Sequence, residues 1–167
     1  ASSHIRVGTF QYISARKNIN ELKILFDYTV DRHFPNIKDS KNPAIEVLNS
    51  LIEKQSDLVI NWMRVGFIHG VMNTDNMTVS GETIDYGPCA FMDTYDPKTV
   101  FSSIDQMGRY AYCNQPIITK WNLARFAECL IPLIDNDQNK AIQIATEKIN
   151  SFETRYEEKW ISMMKNK

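Results

Sequence analysis

The chain has 167 residues, a mass of 19.3 kDa, and 19 basic against 20 acidic residues for a formal charge of −1. That length can bury a core without disulfide or metal staples, and the even charge balance argues against a dedicated nucleic-acid binder, whose phosphate contacts call for a basic excess. The longest unbroken apolar stretch, Cys129 to Ile134, has six residues and cannot span a membrane. Three cysteines without a C-x-x-C pair read as reduced thiols in a cytosol-like compartment, and Ala1 to Phe10 carries no signal-peptide pattern. The chain starts without an initiator Met on what reads as mid-domain sequence, so it is expected to be a piece of a longer protein.

Ile19, Leu22, Leu25, Phe26, Thr29 and Val30 recur at helical spacing behind a cap at Asn18 or Asn20, which predicts a helix ending before Pro35. Turn formers cluster from His33 to Pro43. The strongest local signal follows: Asn42 as N-cap, Pro43 at the first helical position, then Val47, Leu48, Leu51, Ile52, Leu58, Val59, Trp62 and Met63 on one face up to Gly66. Two β-prone runs, Met77 to Val79 and Thr83 to Ile84, flank Ser80-Gly81 and predict a hairpin, with Asp85 to Pro97 as loop. Helices are predicted from Ile117 to about Leu133, where Pro132 breaks the pattern, and from Asp137 to Met164. In the last one Ile142, Ala145, Ile149, Phe152, Tyr156 and Trp160 form the apolar stripe, while Glu147, Lys148, Glu153, Glu157, Glu158 and Lys159 read as a solvated face. The expected fold is mostly α with one small β-hairpin.

The chemistry-bearing segment is His69-Gly70-Val71-Met72-Asn73-Thr74-Asp75-Asn76, followed nine residues later by Asp85-Tyr86-Gly87. An Asn and an Asp joined by a short hairpin supply hard oxygen ligands, and Mg²⁺ needs only one or two protein carboxylates beside nucleotide phosphates and water. Protein kinases follow the same logic with H-R-D-x-x-x-x-N and then D-F-G. On that pattern His69 takes the His position, Asn76 the metal-binding Asn, and Asp85 the D-F-G aspartate. Val71 stands where the catalytic Asp belongs, and a valine can neither take a proton nor orient a hydroxyl. The nearest alternative carboxylate is Asp75. His69 is expected to support the loop through hydrogen bonds, and Cys89, Cys113 and Cys129 to be inert packing residues.

Several of these runs resemble the selenoprotein O (YdiU) family: Ser3 to Tyr12, His69 to Met77, Thr83 to Pro88, Gly108-Arg109-Tyr110, Tyr112, Asn114-Gln115-Pro116 and Trp121-Asn122-Leu123. The resemblance implies a protein-kinase-like fold, of which residues 1–167 form a helical C-lobe-like domain with the N-lobe absent. It implies Mg²⁺-dependent (or Mn²⁺-dependent) transfer of AMP from ATP to Ser, Thr or Tyr hydroxyls of proteins. Asp75 becomes the catalytic base, Asn76 and Asp85 the metal ligands, and Arg6 a contact to the nucleotide phosphates, a task suited to a guanidinium fork. Its partners are then ATP and protein substrates, with neither nucleic acid nor membrane, and its location is cytoplasmic in a bacterium or mitochondrial in a eukaryote. The six glycines are scattered, so no G-x-G-x-x-G loop exists here, and no redox Cys or selenocysteine is recognisable before Lys167. The segment alone is therefore expected to hold only part of an ATP site and to be inactive. Two other readings stay open: a kinase-type phosphotransferase using Asp75, and a non-catalytic pseudokinase scaffold.

Overall fold

The computed structural model describes residues 1–165; Asn166 and Lys167, the polar end of the chain, lie outside them. Five helices carry the fold: α1 (Val7–Ala15), α2 (Ile19–His33), α3 (Pro43–Val65), α4 (Gln115–Ile134) and α5 (Gln138–Lys165). Local signals set most of their ends. The Asn18 side chain accepts from the backbone N–H groups of Asn20 and Glu21 at the start of α2. Asn42 accepts from Ile45 N–H and Pro43 fills the first helical position of α3. At the other end Gly66 adopts the left-handed conformation, φ 70°, which a Cβ would penalise, and its N–H closes the last turn.

The three long helices α3, α4 and α5 pack on one another, and α1 lies across α4. Val47, Leu48, Leu51 and Ile52 of α3 meet Leu123, Phe126 and Leu130 of α4 and Ala141, Ala145, Ile149 and Phe152 of α5 in one buried cluster. Phe10 of α1 joins it edge-to-face against Phe126, ring centroids 4.9 Å apart. Val59, Trp62, Phe67, Met72 and Ile118 form a second, smaller cluster beneath the loop that follows α3.

Four features depart from the sequence reading. The periodicity assigns no element to residues 1–18, yet Val7–Ala15 is helical, because tertiary burial of Val7 and Phe10 outweighs a composition poor in helix formers. The expected hairpin at Met77 to Val79 and Thr83 to Ile84 shrinks to a single Met77–Thr83 bridge. Its backbone pairs instead with the N-terminal segment: Val7 N–H donates to Met77 C=O and Val79 N–H to Ile5 C=O. The only two-stranded sheet among the described residues is antiparallel, β1 (Phe67–Ile68) with β2 (Ala90–Phe91), in register Phe67 opposite Phe91. It closes the loop of residues 69–89 like a drawstring, and β2 lies inside a stretch expected to be loop throughout.

Third, Pro132 lies inside the last turn of α4, which ends at Ile134, within one residue of the expected end; a proline near a helix end removes a bond that the last turn can forgo. Fourth, the polar face of α5 is not simply solvated. Lys159 and Arg155 both reach Glu53 on α3, Lys159 also reaches Asp57 at 2.7 Å, and Glu153 pairs with Lys120 of α4. The Lys159 contact lowers the Glu53 pKa from its ordinary value. Ile142, counted in the apolar stripe, is instead largely exposed, and Ala141 takes the buried position. Among the described residues, no helix is long and apolar enough to cross a membrane.

Candidate functional site

The loop between β1 and β2 is short of regular structure, so its backbone polar groups need partners from elsewhere. Three buried side chains, Gln115, Asn122 and Gln55, supply them, and a fourth, Trp62, holds a side chain of the loop. Gln115, at the first position of α4, accepts from His69 N–H at 3.0 Å and donates to Phe67 C=O at 2.9 Å. Asn122, two turns further along α4, donates to Met72 C=O at 2.9 Å. From α3, Gln55 donates to Thr78 C=O at 2.9 Å and Trp62 Nε1 to Thr83 Oγ1 at 3.0 Å. Gln115 and Asn122 stand out in the sequence only as parts of family-like motifs, and nothing in their spacing announces this role. Gly70 completes the fixing: at φ 86° it turns the chain where a Cβ would meet Pro88 Cγ at 2.9 Å.

His69 is fully buried. Its Nε2 donates to Ile84 C=O at 2.8 Å and its Nδ1 accepts from Val71 N–H at 3.4 Å, so these partners select the Nε2–H tautomer. Burial lowers its pKa, which keeps the ring neutral. Tilted against it, the Trp62 ring lies 5.5 Å away. His69 thus links the start of the loop to the residue before Asp85, and has no access to a substrate.

Thr74–Asn76 form one 3₁₀ turn, capped by Asn73, whose Oδ1 accepts from Asn76 N–H at 3.1 Å. Asn76 Nδ2 donates to Val71 C=O at 2.8 Å, which pins the amide plane and leaves its oxygen as the group available to a cation. Asp85 is one of two non-glycine residues with positive φ among the described residues, at 53°. Asp tolerates that region through its short polar side chain, and such strain persists where surrounding structure imposes it.

Arg6, the N-cap of α1, draws these pieces together. Its Nη1 donates to Asp75 C=O at 2.7 Å and also reaches Asp85 Oδ2, while Nη2 lies 3.2 Å from Asp85 Oδ1. The fork therefore grips the Asp85 carboxylate with both arms and holds the backbone of Asp75 with one. On the other side of Asp75, its carboxylate rests against Gly8 of α1. Gly8, Thr9, Gln11, Tyr12, Thr74 and Asp75 line an open cleft of about 450 Å³. The structure thus assembles all four sequence-identified residues, Arg6, Asp75, Asn76 and Asp85, around one loop.

The donor set suits a hard divalent ion. Asp85 and the Asn76 amide offer oxygen, the donor type that hard divalent ions such as Mg²⁺ or Mn²⁺ take beside phosphate oxygens and water. Among the described residues there is no group of three or more His, Cys, Asp or Glu of the kind a self-sufficient protein cage would use.

Residues 1–167 match the family described as protein adenylyltransferase SelO. The chain is 70% identical to the protein nucleotidyltransferase YdiU of Pelagibacter ubique, 60% to that of Bacillus cytotoxicus and 56% to that of Shouchella clausii, each over its full length. It covers 35%, 34% and 34% of those proteins, so it spans about a third of the length of the relatives it matches. With its whole length matched and the loop motifs gathered around Arg6, the chain belongs to the SelO family.

Proposed function

We propose that this segment is the helical, C-lobe-like part of a protein-kinase-like enzyme that moves AMP from ATP to Ser, Thr or Tyr hydroxyls of proteins. Asp75 is the general base, Asn76 and Asp85 hold Mg²⁺ or Mn²⁺, and Arg6 binds nucleotide phosphate. The observation that carries the reading is the Arg6 bridge, which joins the backbone of the base to the carboxylate of the metal ligand. The divalent ion would supply charge neutralisation to the ATP phosphates.

The residues divide the work as follows. Asp75, exposed at the cleft wall, accepts the proton of the acceptor hydroxyl. That oxygen forms a bond to the α-phosphorus, the α–β phosphoanhydride bond breaks, and pyrophosphate leaves. Arg6 passes from Asp85 to the phosphates when ATP arrives, exchanging one anionic partner for another. Val71 contributes only backbone groups, its carbonyl to Asn76 and its N–H to His69. The family match supports adenylyl transfer over a kinase reading, in which Asp75 would have to replace the proton acceptor missing at position 71.

Intact-mass spectrometry of a full-length protein carrying this segment, after incubation with ATP and Mg²⁺, tests the reading. An AMP adduct on the protein or on a mixed protein substrate is expected, lost in Asp75→Ala and Asp85→Ala, with ATP binding retained in Asp75→Ala. A phosphate adduct establishes the kinase reading instead, and ATP binding with no adduct of either kind establishes a scaffold.

A further inference from the structure

Gly8 occupies the second position of α1, where its backbone is helical and needs no conformational freedom. Alanine is the better helix former there. The reason for glycine lies across the loop: a Cβ on residue 8 would fall 1.8 Å from Asp75 Oδ1, 2.8 Å from Asp75 Cγ and 3.3 Å from Asp75 Cα. All three nearest atoms belong to one residue. We infer that Gly8 is a positioning residue whose missing side chain forms the seat of the Asp75 carboxylate, aiming it into the cleft lined by Thr9, Tyr12 and Thr74. The inference rests on the reading of Asp75 as general base.

The geometry leaves Asp75 little choice once that seat is filled. Its backbone is held by Arg6 through the carbonyl, and the turn around it is tied by Asn73. A methyl group at position 8 then drives the Asp75 carboxylate, which makes the two closest approaches, to another rotamer, while the 3.3 Å approach to Asp75 Cα is taken up by a small backbone shift. The base would remain in the protein but point away from the hydroxyl. The cleft beside α1 is correspondingly where the acceptor hydroxyl approaches.

A double-mutant cycle in a full-length enzyme tests this, with Gly8→Ala, Asp75→Ala and both together. Gly8→Ala is expected to lower kcat for AMP transfer by about a hundredfold, the scale of a misplaced catalytic group, with KM for ATP unchanged. In the Asp75→Ala background the same substitution should cost no further activity. Thermal melting gives a readout independent of turnover. Gly8→Ala should lower Tm clearly more when Asp75 is present than in the Asp75→Ala background, where the carboxylate clash is gone and only the 3.3 Å approach to Cα opposes the gain in helix propensity. Equal shifts of Tm in both backgrounds overturn the contact. Full kcat in Gly8→Ala with an inactive Asp75→Ala overturns the positioning role while leaving the base assignment intact. An active Asp75→Ala overturns the base assignment itself, and with it the catalytic meaning of Gly8, even if the Tm coupling holds.

Discussion

At the scale of single residues, His69 and Gln115 bear the clearest consequences, because both are buried polar groups with every partner supplied by the protein. Burial depresses the His69 pKa, so between that lowered value and the unfolded value of about 6.5 the unfolded chain binds a proton that the folded chain refuses. Stability therefore falls as pH drops below about 6.5 and levels off only below the folded pKa. His33, whose pKa is also lowered, first by burial and then by Arg32, adds a slope of the same sign. Denaturant midpoints measured from about pH 7.5 to about pH 5.5, a window spanning the unfolded value, should decline, and His69→Gln should flatten the decline; an unchanged slope would remove His69 as its source. Gln115→Leu keeps the volume but strands His69 N–H and Phe67 C=O. Two buried groups without partners should cost on the order of 2–4 kcal/mol, read from urea unfolding.

Among the elements, Asn42 does unusual duty by serving two helices at once. Its Oδ1 caps the start of α3 through Ile45 N–H, and its Nδ2 donates to Ile134 C=O, at the C-terminal end of α4, at 2.8 Å. Asn42→Ala should therefore lose about 2 kcal/mol, roughly one for the cap and one for the second bond. Asn42→Asp retains the cap but cannot donate, and should recover only the first part. If the two variants are equally unstable, the α4 contact and not the cap holds the interaction. The pairing of α5 with α3 through Lys159, Arg155 and Glu53 is partly solvated, and is expected to contribute well under about 1 kcal/mol per pair.

For the whole molecule, the packed core coexists with wide apolar surface. A groove of about 900 Å³ runs between α4 and α5, with Ile131, Pro132 and Ile142 among its apolar lining and Glu128, Asp135 and Gln138 among its polar lining. Ile104 and Met107, in the stretch between β2 and α4, are 83% and 92% exposed. Surfaces of this kind are unusual on an isolated soluble unit, and the chain spans about a third of its relatives. The 167-residue chain on its own should therefore self-associate. Sedimentation velocity over a range of concentrations checks this, and a single monomeric species throughout would count against it.

Short-range chemistry is written directly into the residue order. Asn42-Pro43 opens α3 and Gly66 closes it, Asn18 caps α2, and the apolar period places Leu48, Leu51 and Ile52 on the buried face. The proposed roles of Asp75, Asn76 and Asp85 come from residue type, spacing and family resemblance, while the structure adds that Arg6 ties Asp75 to Asp85. What lay beyond the residue order were the choices made between distant segments. Whether Met77 to Val79 pairs with Thr83 or with Ile5 to Val7 depends on which strand partner the fold presents, since both offer the same backbone groups. Helix α1 forms because α4 gives Phe10 a place to bury, not because its residues favour a helix. Gln115, Asn122 and Gln55 look like ordinary amides until the loop's unpaired carbonyls are brought beside them. Gly8 looks like a weak helix residue until Asp75, far along the chain, is found lying where its side chain would be. Contacts across such separations have no local signature, and they exist only once the helices have packed.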